Sequence, residues 1–125
     1  MVDFRGLEFH TGEPVYCQIV RHLKRQILLG TAENGETMPS RRELAAQTGI
    51  NPNTAQKAYK LMEEEGIVRT NGNTASTIYL DDRLYGKIED EMCSGLVSDF
   101  VAEAKRNNLS YKKVIALVSE LWGDE

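Results

Sequence analysis

No apolar run in this chain approaches the roughly 20 residues that a membrane-spanning helix needs, so nothing in it reads as a bilayer segment. The amino terminus, MVDFRGLEFH, mixes charge with aromatics and lacks the apolar stretch of a secretory signal. The expected location is therefore cytoplasmic. Cysteine is scarce: Cys17 and Cys93 stand far apart and form no metal-ligand spacing. Two reduced, partly buried thiols are the expectation, with a redox switch or metal site as the alternative. The two histidines, His10 and His22, have no nucleophile, base and orienting group around them in sequence, and no P-loop or dinucleotide fingerprint occurs. Neither an enzyme nor a bound cofactor is expected. Repeats and low-complexity stretches are missing too. So is a basic excess: the formal charge is −4, which taken alone argues against a nucleic-acid partner.

The distribution of charge reverses that argument. Residues 14–60 carry seven basic side chains against three acidic ones, whereas residues 81–125 carry six against ten. Exposed charges act mainly within a Debye length, about 8–10 Å, so a locally positive surface can still meet phosphate while an acidic tail faces away.

The positive region holds two helix starts with explicit capping chemistry. Ser40-Arg41-Arg42-Glu43 is a capping box, in which Ser40 and Glu43 satisfy each other's amides. The short helix it opens ends at Gly49. Asn51-Pro52 then pairs a strong N-cap with a favoured first helical residue, and predicts a helix from Pro52 to about Glu65, closed by Gly66. Its core face is Ala55, Ala58, Tyr59 and Met62. Two short helices joined by a Gly-containing turn outline a helix-turn-helix. Before them, Pro14 suits an N1 position, and the apolar spacing predicts a helix over Val15 to Leu29, closed by Gly30. Residues 1–13 read as an irregular arm and TAENGET as a loop. After them, Ile67-Val68-Arg69 and Thr77-Ile78-Tyr79-Leu80 are β-prone around an Asn71-Gly72-Asn73 turn signal, which predicts a wing. From Asp81, apolar residues at four-residue steps predict a long helix to about Arg106. Asn107-Asn108 breaks it, and Ser110 caps a last helix, with Leu109 and Val114 as a hydrophobic staple.

On these residues the chain resembles the GntR family of bacterial regulators, and within it the short YtrA-like subfamily. Pro14-Val15-Tyr16 with Gln18-Ile19, Met38 through Ala45, Gly49 through Thr54, Ala58-Tyr59, Met62-Glu63 and Glu65 through Val68 carry the resemblance. It covers about residues 14–80, and the remaining tail fits the subfamily's pair of dimerising helices. Two departures stand out. Pro52 and Gln56 occupy positions where many members have DNA-contacting arginines, and the wing lacks the second Gly of the usual Gly-x-Gly. The expected fold is a mostly α, α+β winged helix-turn-helix with a C-terminal two-helix dimerisation segment. Residues 1–80 form the DNA-binding domain with its arm, and residues 81–125 the helical dimerisation and effector segment.

The chemistry of the second helix fits double-stranded DNA. Asn53 and Gln56 can pair bidentately with adenine, and Arg42 or Lys57 can reach guanine. Ser40, Asn51 and Thr54 suit phosphate beside a helix N-terminus. Tyr59 suits the core or phosphate. Arg41 is either a contact or a solvated helix face, and Lys60 an electrostatic contributor. Gly72 and Asn73 are the wing candidates. By the resemblance, Arg42 is the foremost base reader. One half-site is too small for specific affinity, so Leu84, Ile88, Met92, Leu96 and Phe100, with Val114, Val118, Leu121 and Trp122, are read as a dimerisation surface. A two-fold dimer implies a palindromic operator. The reading is a homodimeric repressor, of its own operon and, by the resemblance, of transporter genes. Residues 81–125 leave little room for an enclosed pocket, but a small-molecule effector of unknown identity could bind at the dimer interface near Met92, Cys93 and Trp122. The alternative is a winged-helix protein–protein interaction module, which should present an apolar face where this chain has Asn53, Gln56, Lys57 and Lys60.

Overall fold

Pro14 opens the first helix from the N-cap position, one residue ahead of the N1 place its restricted φ suggested. The computed structural model, which describes residues 1–72 and 75–123, runs this helix, α1, over Val15–Leu29. The Pro14 carbonyl accepts from the amides of Cys17 and Gln18, so the residue starts the helix with its acceptor rather than by its missing donor. Gly30 ends α1 in the left-handed region, at φ +80°.

The capping box forms as read. The Ser40 hydroxyl accepts from the Glu43 amide at 3.0 Å, and the Glu43 carboxylate accepts from the Ser40 amide at 2.9 Å. It opens α2, Arg41–Thr48, which Gly49 closes at φ +72°. The Asn51 side chain then accepts from the Asn53 amide at 2.7 Å and starts α3, Pro52–Glu64. Ala55, Ala58, Tyr59 and Met62 are all buried, and α3 packs on both α1 and α2 with that face. The two alanines let the helices approach closely, while Tyr59 and Met62 fill the space beyond them.

The wing is shorter than its β-prone stretches. Strand β1, Val68–Arg69, pairs antiparallel with β2, Thr77–Ile78, with Val68 opposite Ile78. The segment read as loop before α2 contributes more than expected. Thr37 bridges to Thr77, Gly35 donates to the Ile78 carbonyl at 2.8 Å, and Met38 donates to the Ser76 carbonyl at 2.9 Å. The second edge of β2 is thus covered by residues 35–38 rather than left open.

The arm is irregular but docked. Val2 and Phe4 are buried. The Val2 amide donates to the Thr37 carbonyl, and the Phe4 amide to the Gln47 side chain, both at 3.1 Å. The buried Gln18 amide donates to the carbonyls of His10 and Glu13 and accepts from the His10 amide. One α1 side chain therefore ties down the end of the arm.

Asp81 accepts from the Leu84 amide at 2.7 Å and begins α4, Asp82–Arg106. Asn108 turns the chain at φ +56°, and Ser110 caps α5, Tyr111–Trp122, by accepting from Lys113. The chain divides into two compact units, Met1–Ile88 and the residues from Glu89 onward. Among the described residues the architecture is mostly helical, with one two-stranded sheet. Among the described residues, no helix is long and apolar enough to cross a membrane.

Candidate nucleic-acid interface

The buried stripe of α3 determines what the opposite side offers. With Ala55, Ala58, Tyr59 and Met62 inward, Asn53, Gln56, Lys57 and Lys60 fall at helical spacing on the outside, and all four are exposed. Two amides and two ammonium groups on one stripe can donate to base edges and phosphates, and the amides can also accept. Pro52 is exposed at the first turn. Thr54 is half-buried at the edge of the stripe, and Asn51 is exposed with its carbonyl oxygen committed to capping Asn53, which leaves its side-chain NH2 to donate outward.

The start of α2 brings three further candidates into the same unit. Ser40 is exposed, although its hydroxyl already accepts from Glu43. Arg42 is exposed and pairs with no carboxylate among the described residues. Arg41 differs from it. Its guanidinium lies 4.5 Å from the centroid of the Tyr59 ring and donates to the Glu63 carboxylate at 2.8 Å. Tyr59 itself is core: its hydroxyl donates to the Pro39 carbonyl, and burial pushes the phenol well above its ordinary range. That placement removes Tyr59 from the phosphate candidates.

At the wing, Gly72 is exposed at φ +60°, and Asn73 lies outside the described residues. The structure adds a basic group that sequence reading did not single out. Arg69 is exposed on β1, 3.5 Å from the centroid of Tyr79 across the ribbon. The Tyr79 hydroxyl in turn donates to Asp81. The strand register places Arg69 opposite Thr77 and diagonal to Tyr79. Alternation along the predicted strands was the available signal.

The candidates for the copy–copy surface divide by exposure. Leu96, Phe100, Val118, Leu121 and Trp122 are exposed, Leu96, Leu121 and Trp122 by about three-quarters. Leu84, Met92 and Val114 are half-buried. Ile88 is 2% exposed within a single chain, so it has no surface left to give a partner. Cys93 is exposed and Cys17 half-buried, and both are free thiols. Among the described residues, no group of three or more His, Cys, Asp or Glu side chains is placed to hold a metal.

Comparison with known proteins places this architecture. The family described as "Bacterial regulatory proteins, gntR family" matches residues 15–78. An uncharacterized HTH-type transcriptional regulator of Bacillus subtilis, YhcF, is 29% identical over 108 residues, spanning 86% of this chain and 89% of its own. The HTH-type transcriptional repressor YtrA of the same organism is 47% identical over 57 residues, which is 46% of this chain and 44% of YtrA. Among solved structures, a GntR family transcriptional regulator from Listeria monocytogenes superposes with a TM-score of 0.79 at 33% identity. That match covers 90% of this chain and 98% of the Listeria one.

Proposed function

Because the chain belongs to the GntR family of bacterial regulatory proteins, and is thus a DNA-binding transcription regulator rather than an enzyme, we propose that it acts as a homodimeric repressor. In this reading residues 1–80 read DNA, and residues 81–125 join two copies on a palindromic operator in the cytoplasm. One observation carries the DNA-reading assignment. Over its first three turns the side of α3 opposite the buried face presents Asn53, Gln56, Lys57 and Lys60, with the exposed Arg42 in the same unit, and the exposed Glu63 and Glu64 follow in the last turn. An apolar docking face, as a protein-binding winged helix would need, is not what these residues make.

Division of labour follows from side-chain chemistry. Arg42, Asn53 and Gln56 have the planar donors and acceptors that distinguish bases, whereas Lys60 and the capped N-terminus of α3 meet phosphate. Dimerisation is supported by Leu96, Phe100, Leu121 and Trp122, which leave apolar surface uncovered in one chain. The similarity to YtrA, a transcriptional repressor, favours repression over activation. A small-molecule effector would need unequal affinity for two arrangements of the dimer.

Selection of bound duplexes from a random pool tests the reading. Arg42→Ala and Gln56→Ala should each weaken binding to the selected duplex by about 1–3 kcal/mol and relax preference at one base position. Variants that bind as tightly and selectively as the parent would remove both residues from the reading surface.

A further inference from the structure

Arg41 and Arg42 are adjacent and chemically identical, yet the fold treats them differently. Arg42 is exposed without a carboxylate partner among the described residues, while Arg41 is held twice. Its guanidinium rests over Tyr59, a buried ring that cannot move without disturbing the core. One of its nitrogens donates to Glu63 at 2.8 Å. The same Glu63 oxygen also accepts from Thr70 at 3.4 Å, and the Thr70 hydroxyl lies 2.6 Å from that of Ser76. Glu63 therefore sits where α2, α3 and the stem of the wing converge.

A carboxylate beside Arg41 matters if this surface meets phosphate. It cancels the charge that would attract DNA and repels the incoming phosphate. The Arg41 and Glu63 side chains are 38% and 37% exposed, and ion pairs this open are weak. Among the described residues, one of the five guanidinium donors is used. Stacking on Tyr59 also keeps the guanidinium at the surface whether or not Glu63 is paired.

Resting on the reading of α2 and α3 as the DNA-facing surface, we infer that Glu63 is a resident competitor for Arg41. It holds a ready phosphate contact neutralised in the free protein and thereby limits affinity for DNA. Arg41 contributes to binding only to the extent that phosphate displaces the carboxylate. Arg42, by contrast, is available from the outset.

Glu63→Gln isolates the charge, because glutamine keeps an oxygen for Arg41 and Thr70. The measurement is the affinity of the full chain for a selected duplex across a salt series. Glu63→Gln should bind several-fold tighter at moderate salt, and its log–log salt slope should steepen by about one, the signature of one more neutralised phosphate. In an Arg41→Gln background, Glu63→Gln should leave the slope unchanged. Weaker or unchanged binding by Glu63→Gln overturns the inference, since the carboxylate is then a brace or a bystander. An equal gain in both backgrounds overturns it too, because Glu63 would then act on DNA without Arg41. Absence of duplex binding by the parent would instead remove the DNA-facing reading and this inference with it. Thermal melting of each free variant confirms that the fold is retained.

Discussion

Phe4 lies outside every regular element, yet its side chain is fully buried, against His22 of α1 and with its amide on Gln47 of α2. A residue that packs between two helices of a reader helps set their angle. Phe4→Ala should cost about 3–5 kcal/mol, the usual range for emptying a buried aromatic site, read as a lowered denaturant midpoint. A change no larger than that of an exposed substitution would show that the arm is undocked in solution. Tyr59 illustrates the same scale from the other side. Its ring fits the core face of α3, and its hydroxyl would be costly to bury unpaired. The Pro39 carbonyl satisfies it, and the placement that makes Tyr59 structural also makes it the platform on which Arg41 rests.

Among the elements, α2 depends most on local chemistry, because it is short and only Leu44 of its residues is buried. The capping box carries much of what packing does not. Ser40→Ala should cost about 1 kcal/mol, and calorimetry or denaturant titration will read it. Glu43 adds a pH dependence. The Ser40 amide, and then the Ser40 hydroxyl, hold its carboxyl below the usual carboxylate range. A depressed folded-state value means the contribution is complete at neutral pH and fades as the pH falls through that lowered value. The stability gap between the parent and Glu43→Gln should therefore be present at neutral pH and close in acid. A gap that stays constant over that range would show that the carboxylate charge plays no part in the box. At this scale the wing behaves differently from the helices. Strand β2 takes residues 35–38 on its second edge, so contacts distant in sequence help to hold it.

At the level of the whole molecule, the proposed dimer links affinity to oligomeric state. In that proposal one chain meets a half-site, and the exposed apolar residues that could join a second copy lie in α4 and α5. Leu96→Asp puts a charge where an uncovered leucine now stands. It should lower the sedimentation mass to that of one chain and weaken binding to a palindromic duplex by about an order of magnitude or more, as loss of the second half-site requires. Binding to random duplex at low salt should fall far less. A variant that keeps both the parent's mass and its operator affinity would show that Leu96 is not at the copy–copy surface. Exposure also trims the surface that periodicity outlined: Ile88 falls in register with Leu96 and Phe100, yet its own chain covers it.

The helices and their ends were legible in the amino-acid sequence because their causes are local. Ser40 with Glu43, Asn51 with Pro52, Ser110, and the glycines at 30 and 49 act on backbone groups a few residues away. Apolar periodicity likewise identified the buried face of α3, and hence the polar stripe opposite it. Tertiary structure decided what depends on neighbours distant along the chain. The docking of Val2 and Phe4 and the pairing of residues 35–38 with β2 join segments that no periodic pattern links. The same holds for the two arginines at the start of α2. Sequence establishes that both are basic and adjacent, but a carboxylate 22 residues away holds one of them, because only the folded chain brings the end of α3 to the start of α2.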